Sequence, residues 1–296
     1  MHGQLLGVLF ASITTRKSET MILKRFLPAV AVVVAGVLAL TACASTGAPS
    51  ARPAIPSVTS TNPALAQLQA SGVLKIGTEG TYSPFTFHDP ATNQLTGYDI
   101  EVITAVAGKL GVKPEFSETK WDSIFAGLTS KRYDLVANEV SINTDRQTKY
   151  DLSDPYSVSY PVVIVKANNT DITSIAAVKG KTTAQTATSN WADFARKAGA
   201  TVEPVDGITE AVAAVKDGRV NATFNDNLAA LEYFTTTKDT SVKIGFEVPD
   251  EKVTQAFALR KDSGLLEPIN TALKDLAADG TLAKIGQKWF SNDISK

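Results

Sequence analysis

Between Val73 and Trp289, short apolar runs alternate with segments whose apolar residues recur at helical spacing. That alternation restricts the body of this chain to a layered α/β architecture. Val73 to Gly77 reads as a strand. Ile100, Ile103, Val106, Ala107 and Leu110 then share one face of a helix that Asp99 opens and Gly111 ends. Trp121, Ile124, Phe125 and Leu128 form the next helical face, and the apolar run Leu135, Val136, Ala137 follows it as a strand. After a buried strand at Tyr160 to Lys166, helices are expected from Asn190 to Ala198 and around Ile208, Val212 and Val215, with a strand at Val220 to Phe224. Two closing helices carry Leu265, Ile269, Leu273 and Leu276, then Leu282, Ile285 and Trp289. Repeated βα units predict mostly parallel sheets, with ligand clefts beyond the carboxyl ends of the strands.

Composition excludes several functions. Lys and Arg number 29 against 30 Asp and Glu, so no basic excess points to nucleic acid. Gly180, Lys181 and Thr182 imitate the tail of a phosphate-binding loop, but Ile175 stands where its first glycine belongs. His88 is followed by Asp89 and Pro90, a turn signal, and no histidine or cysteine stands at a metal-ligand interval. No metal and no cofactor are expected. With no thiol beyond Cys43, a cysteine nucleophile is absent from the body.

The leader has its own logic. Lys24 and Arg25 precede an apolar stretch from Phe26 to Leu40, too short to span a bilayer comfortably, and Leu40-Thr41-Ala42-Cys43 closes it. The tetrad resembles a bacterial lipobox, which implies cleavage before Cys43, lipidation of its thiol and work outside the cytoplasm. Residues 1–43 are therefore read as a signal peptide, with Met21 a better start than Met1. Residues 44–63, rich in Ala, Ser, Thr and Pro, are read as a flexible tether.

Three separated strings carry a more specific resemblance. IGTEGTYSPFTFHDPATNQLTGYDI at 76–100, WDSIFAGL with YDLVANEVSINTDRQTKYDLSDPY between 121 and 156, and DGTLAKIGQKWF at 279–290 resemble the polar-amino-acid solute-binding proteins of ABC importers (bacterial solute-binding protein family 3). The resemblance implies a two-lobed, periplasmic-binding-protein-like fold (type II) with two crossing hinge strands. Lobe 1 would comprise residues 64–160 and 248–296, and lobe 2 residues 161–247. Ser159 to Lys166 and Val242 to Phe257 are the extended stretches long enough to cross.

The same resemblance implies the site. A buried amino acid needs charge partners at both ends. Arg146 takes the place of the carboxylate-binding arginine, Ser141 that of a hydroxyl and backbone donor upstream, and Asp226 that of the acid facing the α-ammonium, although Asp226 also suits a helix N-cap. Ser189 and Asn190 fall on a second-lobe loop at a helix N-terminus, where capping alone would also explain them. Tyr82, Phe85 and Trp121 are candidates to lie against the ligand, or to serve as core. Several local strings are similar to cystine-binding members, whose corresponding run reads VANQV or VINQV where this chain has Glu139. Cystine is the first expectation, with the Trp121 and Asn138 context in its favour and Glu79 and Glu139 facing its distal ammonium. Those acids serve a basic amino acid equally, and Glu139 also has a reading in which its side chain points to solvent. The implied partners are an ABC permease with its ATPase and, through Cys43, the membrane; a monomer is expected. Alternatives are a cyclohexadienyl-dehydratase-like enzyme on the same fold, or a sensory module.

Overall fold

The computed structural model describes residues 62–296. The signal peptide, Cys43 and nearly all of the expected tether lie outside the described residues. Pro63 belongs to the body: Asn62 accepts the Leu65 N–H as N-cap of α1 (Pro63–Ser71), and a proline in the first helical turn forfeits no hydrogen bond.

The chain continues as β1 (Val73–Thr78), a small meander of β2 (Thr81–Tyr82), β3 (Thr86–His88) and β4 (Leu95–Thr96), then α2 (Tyr98–Leu110) and β5 (Lys113–Glu118). Next come α3 (Trp121–Thr129), β6 (Leu135–Ser141), α4 (Thr144–Lys149), β7 (Tyr150–Leu152) and β8 (Ser157–Ser159). A second sheet receives β9 (Pro161–Lys166), β10 (Thr182–Gln185), β11 (Thr201–Pro204), β12 (Ala222–Asp226) and β13 (Val242–Glu247). With them run α5 (Asn190–Lys197), α6 (Ile208–Asp217) and α7 (Asn227–Thr237). The chain then returns to the first sheet as β14 (Val253–Arg260) and ends in α8 (Leu266–Ala278) and α9 (Thr281–Phe290).

The first sheet has the order β5-β1-β6-β14-β7, with β8 also paired to β14, and the second the order β11-β10-β12-β9-β13. Strands β1, β5 and β6 run parallel, as do β10, β11 and β12. Neither sheet is wholly parallel. Strand β14 is antiparallel to β6, and β9 antiparallel to β12, because each arrives from the other lobe and enters its sheet from the opposite end. Strand β9 shows why its sequence is an unbroken apolar run: Val162 and Ile164 enter the core on one face of the second sheet, Val163 and Val165 the core on the other.

Several expected boundaries move: the stretch expected to be extended from Val242 to Phe257 is divided between β13 and β14, the strand expected from Val220 starts at Ala222, and two other shifts bear on the site. Pairing with β9 carries β12 on to Asp226, opposite Pro161, two residues beyond the expected end at Phe224; Asp226 thereby becomes the last residue of a strand and the cap of α7. Helix α2 starts at Tyr98, and Gly97 rather than Asp99 occupies its N-cap. Gly97 has φ 134°, and a Cβ there would lie 2.1 Å from the Phe85 carbonyl oxygen. That close approach lets Tyr98 and Asp99 donate their N–H groups to the carbonyls of Pro84 and Phe85, which sets Asp99 under the cleft.

Gly97→Ala combines a disfavoured φ with an overpacked contact and is expected to destabilise the fold by about 2 to 4 kcal/mol. Urea titration followed by circular dichroism measures it, and an unchanged midpoint would show that the loop accommodates a side chain.

Candidate functional site

Strand ends build the cleft. Glu79 follows β1, Asn138, Glu139 and Ser141 close β6, Thr186 follows β10 and Asp226 ends β12, so both lobes present the carboxyl ends of their strands to one cavity, partly open to solvent. Among the predicted residues, Glu79, Tyr82, Trp121, Asn138, Glu139, Ser141, Ser189, Asn190 and Asp226 lie on its wall.

Phe85 and Arg146 do not. Phe85 is fully buried in the core of the first lobe, its ring tilted against Tyr82 at 5.2 Å between ring centres and against Phe290 at 5.8 Å. Arg146 is also buried; its guanidinium lies 5.1 Å from the Trp121 ring centre and 5.6 Å from that of Phe125. Its Nη1 donates to the Ser141 carbonyl at 2.8 Å, which ties it to the cavity wall. Among the described residues Arg146 makes no ion pair, and burial pulls its guanidinium down to about 10.

Acids dominate the wall. The Asn138 side chain accepts the Glu79 N–H at 2.7 Å and donates to Glu79 Oε2 at 2.6 Å, fixing that carboxyl at the rim. Burial pushes Glu79 up to about 7, against the opposing hydrogen bonds from Asn138 and the Trp121 backbone. Asp226 uses Oδ1 to cap α7, accepting from Leu228 at 2.8 Å and Ala229 at 3.4 Å; its Oδ2 is buried without a partner. Burial raises it to about 6. The N-cap role and the site role therefore fall to different oxygens of one carboxyl group.

Glu139 turns inward. It has φ 51°, and the β6–β14 pairing shifts register beside it between Ala256 and Ala258; its backbone N–H donates to Asp99 Oδ2. Both of its carboxyl oxygens are buried without a hydrogen-bond partner. Burial and the neighbouring Asp99 and Asp226 charges push its pKa upward. The solvent-facing reading of Glu139 is thus replaced by an inward one, since the left-handed backbone aims the side chain at the cleft.

The cleft is closed. Tyr82 Oη donates to Asn225 Oδ1 at 3.1 Å across it, Thr188 donates from Oγ1 and N to Asp122 Oδ1 at 2.6 and 3.1 Å, and Lys120 pairs with Asp206. On the second lobe Ser189 caps α5 by accepting the Ala192 N–H at 3.1 Å, with Asn190 in its first turn.

Sequence reasoning missed Thr81, Thr186, Trp191, Gly207, Ile208, Asn225 and Gln255, which also line the cavity. Gln255 had a signal: it is a lone amide within the apolar run of β14, and a buried polar side chain in a strand needs partners. Asn225 stands beside Asp226, but nothing in the local pattern assigns it to the cleft.

Among the described residues no group of His, Cys, Asp and Glu is placed to hold a metal ion, and no helix is long and apolar enough to cross a membrane. Two α/β lobes closed over a cavity lined by acids, with the buried Arg146 guanidinium tied to its wall through the Ser141 carbonyl, define a protein that captures a small polar molecule. The chain belongs to the bacterial extracellular solute-binding proteins, family 3, whose profile matches residues 74–292. It is 53% identical over 232 residues to the L-cystine-binding protein TcyA of Bacillus subtilis, covering 78% of this chain and 86% of that one. The L-cystine solute receptor of Neisseria gonorrhoeae, solved unliganded and open, is 45% identical with a TM-score of 0.54, covering 78% and 98%. An ancestral arginine-binding protein bound to arginine is 38% identical, yet reaches a TM-score of 0.69 over 74% and 98%. Identity and TM-score rank these two structures in opposite order.

Glu79 and Asp226 have folded-state values above their unfolded ones, so the native protein holds more protons through that interval. Their contribution is fully present below pH about 4 and is lost as pH rises through about 6 to 7, on the order of a few kcal/mol per group. The melting temperature of the ligand-free protein is expected to fall from pH 4.5 to 8, and to fall less in Asp226→Asn. A profile that rises across this interval would contradict the assignment.

Proposed function

We propose that this protein captures L-cystine outside the cytoplasm and delivers it to an ABC permease driven by a cytoplasmic ATPase. The observation that carries the reading is a set of charged side chains that form no ion pair among the described residues: Asp226 and the half-buried Glu79 on the cavity wall, and Arg146 behind it, against Trp121 and Ser141. An amino acid with an ammonium at each end answers both acids. Asp226 receives the proximal ammonium, Glu79 the distal one, and the Arg146 fork with the Ser141 region receives a carboxylate. The side chains of Tyr82 and Trp121 flank the ligand, with Ser189 and Asn190 at the N-terminus of α5 on the opposite wall.

The names of the TcyA and gonococcal relatives support cystine; the arginine-bound relative keeps basic amino acids as the second reading. The family description supports an extracytoplasmic location, and the lipobox at 40–43 supports an anchor on Cys43, with the protein acting as a monomer. A dehydratase reading has no support from the relatives reported above, and incubation with prephenate without product formation would set it aside.

Calorimetry tests the ligand. L-Cystine is expected to bind, with L-arginine and L-lysine weaker, and Asp226→Ala and Arg146→Ala are each expected to reduce affinity by about 2 to 5 kcal/mol, roughly thirtyfold to several thousandfold. Tight binding of arginine with none of cystine would transfer the assignment to basic amino acids, and near-parental affinity in both variants would remove the proposed charge contacts. Separately, Cys43→Ser is expected to leave an uncleaved precursor or release the protein from the membrane fraction, read by fractionation and blotting. Normal processing with unchanged membrane association would refute the anchor.

A further inference from the structure

At the cavity wall, a buried chain of side-chain hydrogen bonds runs from beside the Glu139 carboxyl to beside that of Asp226. Ser157 Oγ donates to Gln255 Oε1 at 2.9 Å, and Gln255 Nε2 donates to Ser159 Oγ at 2.7 Å; all three residues are almost fully buried where β8 pairs with β14. Ser157 stands beside the Glu139 carboxyl and Ser159 beside that of Asp226, without closing a well-formed hydrogen bond to either.

Donor counting gives the chain a direction. A hydroxyl has one proton. Ser157 commits its proton to Gln255, so toward Glu139 it offers only lone pairs and can only accept. Ser159 receives the Gln255 N–H, so its own proton remains to be donated toward Asp226. The amide orientation sets this polarity, and the opposite one would ask Asp226 to supply a proton. Asp226 already accepts two backbone N–H groups, which favours its ionised form and the orientation seen.

The surroundings of Glu139 agree. Facing it are Asp99 from α2, Asp226 from the end of β12, and the phenols of Tyr82, Tyr98 and Tyr156. No ion pair within the described residues involves it, and Asp99 Oδ2 accepts its backbone N–H, which holds the two carboxyl groups side by side. Two adjacent buried acids without a cation cannot both ionise readily.

We propose that Glu139 serves the ligand site as a neutral carboxylic acid, its proton directed to Ser157 and its second oxygen offered to the cavity, equivalent to a glutamine side chain rather than to an ammonium partner. Gln255 is the positioning residue that sets this state through the two serines. The inference deepens the ligand reading above and rests on the same cavity. Positive charge is then recognised by Asp226 and Glu79, and Glu139 adds only a neutral acceptor.

Infrared difference spectra of parent minus Glu139→Gln, recorded on ligand-free mature protein near neutral pH, test the proposal without any ligand. A carbonyl band of a protonated carboxyl is expected in the parent and absent from the variant. In Gln255→Leu, Ser157 is freed to donate to Glu139, so the band is expected to titrate away lower by on the order of one pH unit. With L-cystine as probe, Glu139→Leu is expected to lose affinity by about tenfold or more and Glu139→Gln to recover to within about threefold of the parent. A carboxylate band assigned to Glu139 near neutral pH, or Glu139→Gln as weak as Glu139→Leu with an unchanged melting temperature, overturns it. Absence of L-cystine binding by the parent would defeat the ligand reading instead, and the infrared result would still decide the state of Glu139.

Discussion

Uncompensated charge in the cleft is the constraint around which this molecule is organised. An ionised carboxylate or guanidinium buried without an ion-pair partner costs several kcal/mol, so a fold that sets Asp226 in the cavity wall and Arg146 behind it does so against its own stability. The cost is recovered when a zwitterionic ligand supplies the missing partners. It also explains why the acids shift upward in the ligand-free protein: proton uptake relieves part of the charge that a ligand ammonium would otherwise neutralise.

Everything that positions those charges is backbone geometry at strand ends. The left-handed residue at Glu139, the register shift beside it and the glycine at Gly97 bring Asp99 and Glu139 together under the cleft. Pairing of β12 with the crossing strand β9 carries Asp226 to the strand end from which it both caps α7 and reaches the cavity. Residues 157–159 lie on one route between the lobes and Gln255 on the other, so the buried Ser157–Gln255–Ser159 chain joins the two connections beneath the ligand cavity.

The alternation of strands and helices was legible in the sequence, because each unit has its own period and its own stop signal. The family resemblance singled out Asp226, Glu139, Trp121 and Ser189, and those positions converge on the cavity. The antiparallel crossing strands were not legible, since strand direction depends on which lobe a segment comes from and not on its own residues. Arg146 illustrates the same limit: its place in a motif carries no information on whether its guanidinium faces the cavity or stacks against Trp121. Phe85 was ambiguous for the reason most aromatics near strand ends are, as burial in the core and exposure to a ligand leave the same apolar signal. Gln255 lies far from the motifs, and only its pairing with Ser157 shows what an amide is doing in an apolar strand.

A crystal structure of the mature protein in complex with L-cystine tests the central claim most directly. The expected result is a closed cleft with one ligand ammonium on Asp226 Oδ2, the other on Glu79, and a carboxylate held by the Arg146 guanidinium together with the Ser141 region. A ligand bound with its ammonium groups away from both acids, and with Arg146 still making no anionic contact, would contradict the claim that these buried charges are what the cleft is built to complete.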